Sequence, residues 1–302
     1  MYVVDMHCDS IGDVNDERRL VNKYNYSEKY GQLQFFATFT PKRDTTPQQR
    51  RERLMHFLDV YDEESERLGL LRVTDKESLM RAVESGERSI LVSVEGGGGF
   101  FADSEELCTA YERGLRVLGI AWDKNELASS AFPDEDTGLT KEGRTLARRA
   151  AEMGIILDVS HLSDKSFYDL LEEVSVPVIA THSNFRDVSF AMRNLKLDMA
   201  REIAKRGGVI GLNLCPSFLE ESKNAKMEHI LRQVDFALEN LGEDVLAFGF
   251  DVDGTNGHYP EGIDEESSIH DRVIEMLLSR YPERIVEKIA GKNAIEFLKC
   301  NL

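Results

Sequence analysis

Residues 154–184 read GIILDVSHLSDKSFYDLLEEVSVPVIATHSN, and this stretch decides the fold. An apolar run, Ile155–Val159, leads to His161; a helix-period segment, Ser163–Glu173, leads to a second apolar run, Val176–Thr181, and then to His182. Short continuous apolar runs on either side of a helical segment read as a βαβ unit whose parallel strands are covered on both faces. Each histidine then stands just past the C-terminal end of a strand, in the same relative position one β/α unit apart.

The same alternation continues in both directions. Upstream lie the apolar runs Tyr2–Met6, Leu33–Phe39, Ser89–Val94 and Val117–Ala121; downstream lie Val209–Leu214 and Val245–Phe250. Helix-period segments fall between most of them: Pro47–Gly69, Ser104–Gly114, Thr140–Gly154, Leu197–Gly207 and Lys226–Leu241, with Asp75–Gly86 as a further helix before the third run. From Ser268 to the end the chain again has a helical pattern, expected to close the bottom or side of the fold. Eight such units match an α/β fold of the (β/α)8 TIM-barrel type. A doubly wound open sheet fits the same alternation, because strand order is not written in one sequence. The seven prolines are dispersed and no repeat or Pro/Ser-rich linker interrupts the chain, so residues 1–302 read as a single domain.

Composition narrows the partners. Hydrophobic residues make up 41% and charged residues 30% of the chain, enough for a large core and a solvated surface. A formal net charge of -18 argues against nucleic acid, whose phosphates need clustered Lys and Arg. The acidic excess, as at Glu63, Glu64 and Glu66, reads as solubility spread over helix faces. No apolar run approaches a membrane span and no charged-then-apolar leader opens the chain, so the expectation is a cytoplasmic protein with no membrane partner. The cysteines Cys8, Cys108, Cys215 and Cys300 are scattered with no C-x-x-C pair; they are expected to be free thiols, mostly buried.

Metal-ligating residue types recur where the strands end. His7 and Asp9 follow the first strand, Glu95 the third, His161 the fifth, His182 the sixth and Asp251 the eighth. In a barrel those ends converge on one face, and imidazole with carboxylate suits zinc and similar divalent ions. Each residue alone has a plainer explanation. His7 and Asp9 share one side of an extended segment by their i, i+2 spacing; Glu95 could cap a following helix; Asp158, Asp251 and Asp253 could be strand-end or loop acids. The run Gly96–Gly97–Gly98–Gly99 invites a phosphate loop, yet it lacks either glycine-rich phosphate motif and follows an acid that would repel phosphate. His56, His229, His258 and His270 lie in helical or loop contexts without partners and read as surface or packing residues, with His258 in the loop after the eighth strand.

Taken together, the segments VVDMHCDS, LVSVEGG, GIILDVSHLSD, VPVIATHSN, MRNL and LAFGFDVDG resemble the membrane dipeptidase (renal dipeptidase) family of amidohydrolase-like barrels. They occur in family order from Asp5 to Gly254, and QLQFFATF and GLTKEGRTLARRAAEMG are also similar. The resemblance implies two zinc ions: His7 and Asp9 on the first, His161 and His182 on the second, Glu95 bridging both, and Asp251 completing the first site and acting as the base. It also implies that Arg193, eleven residues after His182, grips the C-terminal carboxylate of a dipeptide, a task that suits a forked guanidinium.

Two positions depart from the family pattern. Trp122, in GIAWDKNELASS, stands where the family enzymes best known for dipeptide cleavage carry a histidine that steadies the oxyanion. Tryptophan offers one N–H and no basic nitrogen. Gly98 stands where relatives commonly have another histidine. The expected activity is hydrolysis of dipeptides with a free C-terminal carboxylate, the expected partner a small peptide, and a homodimer is left open. Competing expectations are a barrel hydrolase of a cyclic amide, lactone or phosphoester, and an idle metal-binding scaffold.

Overall fold

Successive strand residues point to opposite faces, and here both faces are apolar, so the sheet must be covered inside and out. The structure, a computed structural model, describes residues 1–9, 26–39, 46–100, 105–132, 135–255, 257–263 and 268–302. Eight strands form one parallel sheet: β1 (Tyr2–Asp5), β2 (Gly31–Phe39), β3 (Ser89–Glu95), β4 (Leu115–Gly119), β5 (Ile156–Asp158), β6 (Val178–Ile179), β7 (Ile210–Leu212) and β8 (Leu246–Phe248). Their order is β6-β5-β4-β3-β2-β1-β8-β7. The two ends meet where Ala180, just past β6, bridges Ile210 of β7 in parallel. Across that seam the Gly211 N–H donates to the Ala180 carbonyl at 2.7 Å and the Ala180 N–H to the Val209 carbonyl at 3.1 Å. The sheet is therefore a barrel, and the open doubly wound arrangement is ruled out.

Every one of the eight apolar runs overlaps one of these strands, with Gly31–Phe39, Ser89–Glu95 and Leu115–Gly119 reaching one or two residues beyond the runs expected there. A ninth, Leu71–Arg72, pairs with the start of β3 outside the ring; two residues are too few to leave a periodic signal. At the seam, a Cβ on Gly211 would stand 1.9 Å from the Thr181 carbonyl oxygen, and one on Gly249 would stand 1.8 Å from it. Both positions need glycine for that close approach.

The expected helices form between the strands for ordinary reasons. Helix Pro47–Leu68 opens with Thr46 and Gln49 in a capping box and Pro47 in its first turn, and closes at Gly69 in the left-handed region. Its buried residues Leu54, Phe57, Leu58 and Tyr61 follow the i, i+3, i+4, i+7 stripe that faces a core. The expected helix Ser104–Gly114 is observed as Glu105–Glu112, with Ser104 outside the described residues. One buried cluster, with Val3, Phe36, Val92, Leu118 and Phe248, packs the outer face of the strands against the helices. A second joins Val4, Leu33, Phe35, Leu91, Val117 and Ile156 to Ala294, Phe297 and Leu298 of the last helix, Asn293–Asn301. Alternation places these on the opposite face, so the chain's end plugs the lower mouth of the barrel. The upper mouth, at the strand C-termini, is left for the site.

No helix among the described residues is long and apolar enough to cross a membrane. One expectation needs correcting. No disulfide joins the four cysteines, which all lie among the described residues, but only Cys8 is buried; Cys108 and Cys215 are half-buried and Cys300 is exposed, because helix and loop faces place them there.

Candidate metal centre

The ends of β1, β3, β5, β6 and β8 bring His7, Asp9, Glu95, His161, His182 and Asp251 together. Glu95 Oε1 is the hub. It lies 3.6 Å from His7 Nε2, 3.3 Å from His161 Nε2 and 3.2 Å from His182 Nε2. His7 Nε2 is also 3.5 Å from Asp9 Oδ1 and 3.9 Å from Asp251 Oδ1. Three overlapping groups have ligand atoms within 4.8 Å of one another: His7–Asp9–Glu95, Glu95–His161–His182 and His7–His182–Asp251. Glu95 is common to the first two. It does not cap the turn that follows it, Gly97–Gly99, which has no side-chain cap.

Two of these residues sit in costly backbone conformations. His161 has φ 68° and Asp251 has φ 60°, a region few non-glycine residues enter, Asn, Asp and His more readily than the rest. Each such residue costs about 1–3 kcal/mol, and such strain clusters at functional sites. What holds them is visible. The Ala131 N–H donates to the His161 carbonyl at 2.7 Å, and β1 and β8 extend their pairing through a Cys8–Val252 bridge, with Asp9 N–H donating to Val252 at 2.9 Å.

Asp158 fixes the tautomer of His182. Its carboxylate accepts the N–H groups of Ser160 and Thr181, both at 2.9 Å, and the Thr181 hydroxyl. With its proton committed to Asp158, Thr181 Oγ1 accepts from His182 Nδ1 at 2.8 Å. The lone pair of His182 then lies on Nε2, facing the centre. A ligating histidine held from behind by its other nitrogen is the usual arrangement in metal sites.

The electrostatics of the cluster call for a cation. Burial pushes Glu95 well above the usual carboxylate range, and the neighbouring Asp9, Asp158 and Asp251 push it further. Burial raises Asp251 as well, with Asp9 adding to it. Burial opposes a charged His7, but Glu95, Asp9 and Asp251 outweigh it and lift its pKa to about 10. His161 and His182 move the other way, held well below normal by burial, with Arg193 and His7 reinforcing it. His7 Nε2, Asp9 Oδ1 and Glu95 Oε1 are buried without a hydrogen-bond partner among the described residues. Buried polar atoms are normally satisfied, so three orphans aimed at one point fit an ion. The residue set also fits: neutral imidazoles with carboxylates are borderline ligands for zinc and its neighbours.

Around this centre stand residues that sequence reasoning passed over. Asn213, after β7, donates Nδ2 to Asp251 Oδ2 at 3.0 Å, while its Oδ1 accepts from Cys215 N–H at 2.6 Å. Gly254 leaves the room that two carboxylates occupy: a Cβ there would meet Asp251 Oδ1 at 2.0 Å and Asp9 Oδ2 at 2.6 Å. Behind His7, fully buried Asp5 accepts the backbone N–H groups of His7 at 3.2 Å and Phe250 at 3.0 Å, and pairs with His270 Nε2 at 2.8 Å. His270 is thus a packing residue with a purpose, tying β1 to the helix Ile269–Arg280.

Arg193 is buried at 6% exposure beside this centre. Its Nη1 donates to Ser183 Oγ at 2.9 Å and its Nη2 to the His182 carbonyl at 3.0 Å, while Nε has no partner among the described residues. No carboxylate among the described residues pairs with it within 4.0 Å, and burial lowers its pKa.

Residues 1–300 match the family model of membrane dipeptidase, peptidase family M19. The chain belongs to that family. Family membership places this M19 chain among the metallo-dipeptidases. It is 29% identical over 262 residues to dipeptidase tcpJ of Claviceps purpurea (strain 20.1), covering 85% of this chain and 60% of that one. It is 28% identical over 230 residues, 72% of this chain and 84% of the other, to an uncharacterized protein in the pqqA 5′ region of Klebsiella pneumoniae. Among solved structures it is similar to dipeptidase AC, an M19 metallopeptidase, with a TM-score of 0.86, 25% identity and coverage of 100% and 98% of the two chains. A Rhodobacter sphaeroides metallopeptidase liganded with a phosphinate mimic of L-Ala-D-Ala shares the fold, with a TM-score of 0.85, 23% identity and coverage of 100% and 99%.

Trp122 and Gly98, the two positions expected to depart from the family pattern, each have close neighbours in this M19 chain. Trp122 is half-buried at the mouth, its ring 6.2 Å from that of His161. Gly98 faces the Arg50–Glu126 ion pair: a Cβ there would lie 3.0 Å from Arg50 Nη1 and 3.1 Å from Glu126 Oε1. The other histidines stand apart from the centre. His56 and His258 are exposed, and His229 accepts from Lys226 N–H at 2.9 Å and meets Glu220 at 3.0 Å. Asp253 is exposed and belongs to none of the three ligand groups.

Proposed function

We propose that this chain, acting as one barrel domain, hydrolyses dipeptides that carry a free C-terminal carboxylate, at a binuclear zinc centre. His7 and Asp9 would hold one ion and His161 and His182 the other, with Glu95 between them and Asp251 completing the first site. Zinc bound there supplies a Lewis acid for the peptide carbonyl and a water whose pKa is brought toward neutrality. The observation that carries the reading is Glu95 Oε1 standing 3.2–3.6 Å from three imidazole nitrogens, beside a buried arginine with no ion-pair partner among the described residues.

The chain's own residues divide the remaining work. Glu95, Asp158 and Asp251 act on Arg193 only from beyond ion-pair distance and do not offset its burial, so an anionic ligand in direct contact relieves a remaining cost. Arg193 therefore binds the substrate carboxylate and fixes the peptide's direction, which converts binding into alignment of the scissile bond. A cyclic amide or lactone brings no such carboxylate. Asn213 occupies Asp251 Oδ2, so Oδ1 is the oxygen left to take a proton from the attacking water and hand it to the leaving nitrogen. The C–N bond breaks, the acyl carbon keeps the water's oxygen, and the amine leaves with the proton.

Metal analysis and a dipeptide panel test this together. We expect about two zinc equivalents per chain, cleavage of dipeptides and none of their C-terminal amides. Asp251→Asn is expected to lower kcat at least about a hundredfold, the usual scale for losing a general base. An Asp251→Asn protein as fast as the parent removes the assigned base. A zinc-loaded parent inert to every dipeptide removes the function.

A further inference from the structure

The mouth of the barrel has two unlike halves. Arg193, Asn213 and Asp251 follow β6, β7 and β8, giving that half charge and hydrogen bonds. The half over β2 to β5 is aromatic. Phe39, the last residue of β2, lies 4.8 Å from the Trp122 ring; Trp122 lies 6.0 Å from Phe132. The wall begins at the ligands themselves, since the rings of Trp122 and Phe132 lie 6.2 and 5.9 Å from that of His161. The loop carrying Phe132 is pinned there by Ala131 N–H donating to the His161 carbonyl and by the Ser130–Leu162 bridge. All three rings are half-buried rather than sealed into the core.

We propose that Phe39, Trp122 and Phe132 form the subsite for the side chain of the N-terminal residue of the dipeptide, and that they select a large apolar or aromatic side chain there. The inference rests on the dipeptidase reading for its substrate and adds the specificity. With the C-terminal carboxylate held at Arg193 and the scissile carbonyl at the centre, the N-terminal residue extends toward the opposite half of the mouth. Aromatic rings reward apolar surface removed from water and offset ring contacts. They give a charged side chain nothing to replace its lost water. A histidine at position 122 would have broken this surface with a polar ring; tryptophan continues it.

Trp122 is the chain's single tryptophan, so its emission reports this wall alone. The test pairs kinetics with that signal. Among Phe-Ala, Leu-Ala, Gly-Ala, Asp-Ala and Lys-Ala, kcat/KM is expected to favour Phe-Ala and Leu-Ala over the others by at least about tenfold. Trp122→Ala is expected to cost Phe-Ala at least about tenfold, mainly in KM, while Gly-Ala changes less than about threefold; Trp122→Phe keeps the preference. In the slow Asp251→Asn protein, Phe-Ala is expected to shift Trp122 emission saturably and Gly-Ala to shift it little. Equal cleavage of Phe-Ala and Gly-Ala with silent emission overturns the subsite and leaves the dipeptidase standing. A saturable Phe-Ala signal in a protein that cleaves no dipeptide keeps the subsite and overturns the activity.

Discussion

Gly254 carries no chemistry, yet it decides where two acids sit. A methyl group added there would lie 2.0 Å from Asp251 Oδ1 and 2.6 Å from Asp9 Oδ2, so both carboxylates would have to move. Displacing a positioned group by about 1 Å can cost a hundredfold in rate. Gly254→Ala is therefore expected to lower kcat/KM about a hundredfold and to weaken metal retention in the first site. The exposed residue should leave the melting temperature of the metal-free protein nearly unchanged. Metal counts by mass spectrometry beside a melting curve check this. Full metal and full activity would mean that the carboxylates relax around the methyl without loss. Asn213 acts on the same acid from the other side, and both contributions are invisible in sequence because they depend on which atom faces which.

At the scale of elements, Asp164 joins two consecutive β/α loops. It opens the helix Asp164–Glu173 and receives Arg186 in a two-point pair, Nη1 to Oδ2 at 3.0 Å and Nη2 to Oδ1 at 2.9 Å, with Lys196 Nζ at 2.6 Å. Residues 186 and 196 flank Arg193, so the clamp steadies the loop that holds the substrate-binding guanidinium. Burial alone would raise the Asp164 pKa, but Arg186 and Lys196 outweigh it and hold the carboxyl below its ordinary value. A lowered folded-state pKa contributes stability above the unfolded value, near 3.9, and that stability is lost as pH falls through the folded one. Asp164→Asn should therefore cost about 1 kcal/mol at neutral pH, discounted for a partly exposed pair, and progressively less below about pH 4. Denaturant midpoints of both proteins from pH 7 to 3 measure it; a constant difference across that range would exclude the ion pair as its source. The elements themselves were legible for a simple reason. Buried parallel strands are continuously apolar and the helices between them are not, so Ile155–Val159 and Val176–Thr181 announce themselves. Leu71–Arg72 and the turn Pro216–Leu219 did not, since neither is long enough to show a period.

For the whole molecule, the ligands were legible by their place at strand ends, whereas the support behind them was not. His270 lies 265 residues from Asp5 in a helix whose pattern looks like surface, and only the closed barrel reveals that the two meet. That closure gives the proposed centre a structural consequence. Its ligands come from the ends of five strands, β1, β3, β5, β6 and β8, and two of them, His161 and Asp251, are held in strained backbone. An ion bound only by the folded chain stabilises it by mass action, about 4 kcal/mol at a concentration a thousandfold above its dissociation constant. Chelation should therefore lower the melting temperature of the parent, and added zinc should restore it. Glu95→Gln, which removes the group common to two of the ligand sets, should melt at the same temperature with or without zinc. The same centre sets a pH dependence. With its pKa lifted to about 10, His7 in the metal-free protein carries a proton at pH 7 that the ion must displace, whereas His161 and His182, held low by burial, carry none to lose. Zinc uptake should thus release protons, and apparent affinity should rise with pH up to about 10. Calorimetric titration in buffers of different ionisation heat reads that release directly. A parent whose melting ignores chelator, and whose zinc titration releases no proton, would show that these strand ends are joined by something other than metal.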